Sequence, residues 1–89
     1  MVHYNIVVKG LVQGVRYRQS TKNKAQELKL HGFVRNMPDR SVYIEIEGPE
    51  NLVYQFIDWC HIGSQRAKVN SVEIEPGKFK SFDNFQIKY

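Results

Sequence analysis

An α+β sandwich is the fold class this sequence predicts: an antiparallel sheet with two helices on one face. Three observations carry that prediction. Turn signals cut the 89 residues into segments in the order strand, helix, strand, strand, helix, strand. Residues 41–47 alternate strictly, with Val42, Ile44 and Ile46 on one side and Tyr43, Glu45 and Glu47 on the other. Two further windows abandon that alternation and repeat apolar positions at spacings of three and four.

Taken in order, residues 4–9 form a first strand, rich in β-branched side chains. A turn over 10–15 follows. A helix over 18–30 places Thr21, Ala25 and Leu28 on a narrow buried stripe, with Lys22, Lys24 and Lys29 in solvent and Gly32 as its stop signal. Residues 33–37 make a second strand, and Pro38-Asp39-Arg40 is the tight turn into the third at 41–47. Gly48-Pro49-Glu50 opens a second helix with a wide apolar face, Leu52, Val53, Phe56, Ile57, Trp59 and Cys60, and Gly63 closes it. In the fourth strand, residues 69–75, Val69 is out of phase with Val72 and Ile74, which predicts a bulge near Asn70. Pro76-Gly77 breaks that strand, and Phe85, Ile87 and Tyr89 alternate along a last one. This order is the split βαβ, or ferredoxin-like, arrangement βαββαβ. Right-handed crossovers place the first and third strands side by side at its centre.

Composition narrows the function without naming it. The chain is predicted to be a single domain over 1–89, with 42% hydrophobic and 25% charged residues. The net charge of +4 favours anionic partners only weakly, because the basic residues form no block. Cys60 is the one cysteine, so an internal disulfide is excluded and a cysteine zinc site is not indicated. No segment has the order of a signal peptide and no apolar run is long enough to span a membrane, so a reducing cytoplasm is expected.

Chemistry concentrates in Gly10-Leu-Val-Gln-Gly-Val-Arg-Tyr-Arg18. Glycines let consecutive N–H groups converge on one point. The turn ends at a helix start, whose free N–H groups and dipole favour an anion. Arg18 adds a planar fork able to grip two phosphate oxygens. Gly10-x3-Gly14 is not a dinucleotide fingerprint, and no Gly-Lys-Ser/Thr is present, so a nucleotide is not indicated. A second cluster, Gly32-Phe33-Val34-Arg35-Asn36, supplies a side-chain amide.

Val12-Gln13-Gly14-Val15-Arg16-Tyr17-Arg18 resembles the Val-Gln-Gly-Val-x-Phe-Arg signature of the acylphosphatase family, and Gly32-Phe33-Val34-Arg35-Asn36 is similar to that family's second signature. The likeness continues through Asp39, Val42 and Gly48 and reappears weakly around Trp59-Cys60 and Ala67. It implies hydrolysis of the carboxyl–phosphate anhydride of a small acyl phosphate, without metal, cofactor or covalent intermediate. It also implies a monomer; the scattered charge and the short apolar runs make a nucleic-acid or membrane partner unexpected. By motif, Arg18 binds phosphate, Asn36 orients the attacking water, and the N–H groups of Gln13, Gly14, Val15, Arg16 and Tyr17 form the phosphoryl cradle. Three positions depart from the family pattern. Arg40 stands where glycine is usual, Tyr17 adds a hydroxyl, and Ser64 stands where proline is common.

Other residues have plainer readings. Arg16 and Arg35 are expected to be solvated flanks, and His3, His31 and His61 to be surface or edge residues. Glu45 and Glu47 are expected on an exposed sheet face rather than as an acid–base pair. Cys60 is read as a buried inert thiol and Trp59 as a packing residue. Two alternatives in other classes stay open: a catalytically silent regulatory module of the same family, and a ferredoxin-like RNA-binding domain. The two carboxylates on the third strand argue against the second.

Overall fold

The computed structural model describes residues 1–89. Its elements are β1 (Val2–Leu11), α1 (Tyr17–Glu27), β2 (His31–Asn36), β3 (Val42–Gly48), α2 (Glu50–Cys60), β4 (Lys68–Pro76) and β5 (Phe85–Lys88). The sheet order is β4-β1-β3-β2-β5. Every neighbouring pair is antiparallel except β2 and β5, which run parallel. β1 and β3 lie at the centre, as right-handed crossovers require.

Alternation decides which side chains meet the helices. Ile6 pairs with Ile44 and Val8 with Val42, while Ile44 also faces Val34 on its other side. These five are fully buried beneath Thr21 and Ala25 of α1 and Val53, Phe56 and Cys60 of α2. The β4 bulge falls where the phase shift predicts. Lys9 pairs with Ser71 and Gly10 with Val69, so Asn70 is the extra residue.

Gly32 does not stop α1. The helix ends at Glu27, and Lys29 takes the left-handed conformation (φ 57°) while the Leu30 N–H bonds to the Ala25 carbonyl. Gly32 instead lies inside β2, where a Cβ would come within 1.8 Å of the Glu45 carbonyl oxygen. Close approach of two strands, not a helix end, requires glycine there.

The outer sheet face departs most from expectation. Glu45 and Glu47 are not exposed, and His3 is not a surface residue. All three are buried, at 6%, 3% and 4% relative exposure. The connection between β4 and β5, residues 77–84, folds back over them. Glu47 accepts hydrogen bonds from the N–H groups of Lys80 and Phe82, both at 2.7 Å, and meets His3 Nδ1 at 2.6 Å. Glu45 accepts from Lys80 Nζ at 2.8 Å and from the Tyr43 hydroxyl at 2.8 Å. Strand alternation assigns these carboxylates to the outer face correctly. It carries no information about a later loop that covers that face.

Candidate active site

Residues 12–16 join β1 to α1 as a tight loop. Gly14 (φ 72°) and Arg16 (φ 62°) both take the left-handed conformation. A Cβ at position 14 would meet nothing within 4 Å, so glycine is needed there for its φ alone. Arg16 sits at the N-cap of α1 and makes no side-chain capping bond. No backbone carbonyl accepts from the N–H groups of residues 13–17, and no side chain caps them. These donors are therefore unpaired within the protein, beside the positive end of α1.

Three contacts hold the loop. Gln13 Nε2 donates to the carbonyls of Met37 and Ser41, each at 2.9 Å, which fastens it to the β2–β3 hairpin directly after Asn36. Ser64 Oγ donates to the Val15 carbonyl at 2.7 Å. Tyr17 is fully buried, and its hydroxyl donates to the Cys60 carbonyl at 2.9 Å, so the added hydroxyl finds a partner. Burial, and then the Cys60 contacts, raise the Tyr17 pKa, and the phenol stays neutral. The Gln13 side chain is a structural latch that the motif reading did not include. Its partners are carbonyls 24 and 28 residues away, which sequence spacing does not reveal.

Arg18, in the first turn of α1, and Asn36, at the end of β2, line one cleft of about 330 Å³ with Gly14, Arg16, Tyr17 and Tyr89. The Arg18 guanidinium lies 4.8 Å from the centre of the Tyr89 ring. Asn36 Oδ1 is buried and accepts no hydrogen bond within the protein. An orphaned buried acceptor costs about 1–3 kcal/mol, so it marks a group held for something other than stability. No carboxylate, imidazole or thiol side chain belongs to this cleft. Its donors are N–H groups and guanidinium, a set that fits an anion.

The structure thus brings Arg18 and Asn36 to one cleft with Gly14, Arg16 and Tyr17, whereas Gln13 and Val15, in the same loop, do not line it. The first signature, Val12 to Arg18, fills the loop and first helical turn, and the second ends at the cleft wall.

The family described as acylphosphatase matches residues 4–87. The chain belongs to the acylphosphatase family. A curated acylphosphatase from Geotalea uraniireducens is 45% identical over 85 residues, covering 94% of this chain and 93% of that one. The crystal structure of acylphosphatase from Bacillus subtilis matches with a TM-score of 0.97 at 36% identity, covering all of both chains. An acylphosphatase structure from Coxiella burnetii matches with a TM-score of 0.95 at 29% identity, covering 98% of this chain and 92% of that one. Acylphosphatase chemistry, the hydrolysis of acyl phosphates, is the activity of this family.

The remaining residues fall outside the cleft. Arg35 is exposed, with its guanidinium 5.8 Å from the Tyr43 ring centre. His31 and His61 are exposed. Cys60 is buried, and burial pushes its thiol up to about 12, so it stays protonated and inert. Trp59 packs, its ring 5.5 Å from that of Tyr17. No helix is long and apolar enough to cross a membrane.

Proposed function

We propose that the chain cleaves the carboxyl–phosphate anhydride by direct attack of water, with no metal and no covalent intermediate. The observation that carries this reading is one cleft holding Arg18, Asn36 and N–H groups without protein acceptors.

The roles follow from donor geometry. The phosphoryl group enters the cradle of N–H groups from Gln13, Gly14, Val15, Arg16 and Tyr17, and Arg18 grips two of its oxygens. Charge in the loose transition state spreads over the equatorial oxygens, where those donors act. Asn36 presents an amide with both acceptor and donor capacity, and rotation about its last torsion exchanges them. Its carbonyl accepts from the attacking water and its NH2 donates to phosphate. The amide is too weak a base to ionise water, so the water proton passes to a phosphate oxygen. The P–O bond to the acyl group breaks, and the carboxylate leaves without needing a general acid.

Two other classes are less well supported. The retained Arg18 and Asn36 argue against a silent module. An RNA-binding sheet needs exposed aromatics. Here Phe33 is buried, with Phe82 edge-on at 5.8 Å, and residues 77–84 cover that part of the outer sheet face. The proposal takes residues 1–89 as one monomeric unit acting on a diffusible substrate in the cytoplasm, without nucleic-acid or membrane partners.

The test is steady-state hydrolysis of benzoyl phosphate with EDTA present and Arg18→Ala alongside. Turnover that survives EDTA and drops in the variant by about 2.7–4 kcal/mol of transition-state stabilisation supports the proposal. A folded wild-type chain no faster than Arg18→Ala overturns it.

A further inference from the structure

A second cleft adjoins the first. It holds about 520 Å³ and lies between the start of α1 and the turn that follows α2. Gly14 and Arg16 border both clefts, so the second lies directly beside a phosphate seated at residues 13–17. Ser20, Ser64, Gln65 and Arg66 line the far side. Its chemistry is one-sided: Val15 is the only hydrophobic lining residue, no carboxylate is present, and two arginines, Arg16 and Arg66, are among its lining. Neither Arg16 nor Arg66 forms an ion pair anywhere in the fold.

The two walls are tied together. The Ser64 hydroxyl donates to the Val15 carbonyl, and the Ala67 N–H closes on the Ser64 carbonyl at 3.0 Å. Arg66 is thereby carried on a turn anchored to the cradle itself. Serine at 64 supplies a donor to the cradle wall that proline, common in the family at that position, has no group to offer.

We infer that this second cleft binds a distal anionic group on the acyl half of the substrate, with Arg66 and the Arg16 side chain as its receptors. The inference rests on the acyl phosphate reading above and adds a preference, among acyl phosphates, for those that carry a second carboxylate or phosphate. A purely hydrocarbon acyl chain would find one apolar side chain there and would strip water from polar groups without replacing it. An anion would instead pair with two guanidiniums.

The experiment compares kcat/KM for succinyl phosphate and for butyryl phosphate, which replaces the distal carboxylate by a methyl group. The expected result is a preference for succinyl phosphate in the wild type. That preference should fall about fivefold in Arg66→Gln and be partly kept in Arg66→Lys, on the scale of a partly exposed ion pair. In parallel, calorimetry measures binding of butylphosphonate, 4-phosphonobutyrate and propane-1,3-bisphosphonate. These separate a distal carboxylate from a distal phosphate-like group without requiring turnover. Hydrolysis without the preference, or a preference untouched by Arg66→Gln, overturns the inference and leaves the catalytic reading standing. No hydrolysis of either substrate, with Arg66-dependent selectivity among the phosphonates, overturns the catalytic reading and leaves the distal-anion site standing. Equal phosphonate binding in wild type and Arg66→Gln removes the site.

Discussion

The Arg18 guanidinium lies over the ring of Tyr89, 4.8 Å from its centre, although the two residues lie at opposite ends of the chain. The parallel pairing of β5 with β2 makes this possible. Val34 pairs with Ile87 and Arg35 with Lys88, which brings the end of β5 beside the end of β2, where Asn36 stands. A cation over a ring face is attracted by the ring quadrupole, so the contact helps to hold Arg18 in the cleft.

Tyr89→Ala should therefore loosen Arg18 without removing it. An exposed cation–π contact contributes about 0.5–1 kcal/mol, so kcat/KM for benzoyl phosphate should fall about two- to fivefold. Tyr89→Phe should keep wild-type activity, since the ring face is retained. Equal losses in both variants would show that the hydroxyl matters and the ring contact does not.

Asn36→Ala should lower kcat sharply with KM little changed, because a water-orienting group acts mainly in the transition state. The Asn36 carbonyl accepts no protein hydrogen bond, so its removal should not cost stability. Urea unfolding measured alongside the kinetics checks this. A large rise in KM with kcat intact would move Asn36 to substrate binding.

Acid stability should depend on Glu47. Burial alone would raise its pKa, but the Lys80 N–H, the His3 ring and the Phe82 N–H outweigh it and hold the carboxyl below its ordinary value. A depressed folded pKa contributes stability that is present above the ordinary glutamate range and lost as pH falls through the folded value. Glu47→Gln should destabilise the chain by about 2–4 kcal/mol at neutral pH, since one carboxylate oxygen becomes a donor facing donors. Its urea midpoint should also change less than the wild type's between pH 6 and pH 3, a range of roughly three units that brackets the glutamate titration. Parallel acid profiles for the two proteins would remove Glu47 from this role.

Arg40→Gly should stabilise the fold modestly. Arg40 takes φ 73° in the β2–β3 turn, where the family usually has glycine. Relief of left-handed strain is worth about 1–2 kcal/mol, and the extra unfolded-state entropy of glycine offsets roughly 0.5–1 kcal/mol of it. The turn stays braced by Asp39, whose carboxylate accepts from the Ser41 N–H at 2.9 Å. Thermal and urea unfolding should both show a net gain of about 0.5–1 kcal/mol. A loss would mean the Arg40 side chain contributes more than its backbone costs.

Much of the architecture was legible in local signals, because those signals act over a few residues. Strict alternation identified Val42, Ile44 and Ile46 as core. The out-of-phase Val69 located the bulge at Asn70, and the apolar stripe of α2 placed Cys60 inside. The two signatures also contained every residue of the first cleft's polar wall except Gln19 and Tyr89.

What tertiary structure alone decided depends on contacts between distant segments. Glu45, Glu47 and His3 read as surface groups because alternation reports which face a side chain takes, and residues 77–84, which cover that face, have no periodicity to announce them. Gln13 became a latch because the β2–β3 hairpin turns two carbonyls toward it. Arg18 met Tyr89 because β5 returned parallel to β2. Periodicity sorts residues between inside and outside. Only the closed fold determines which outside residues another part of the chain will cover, and which cleft two distant motifs will share.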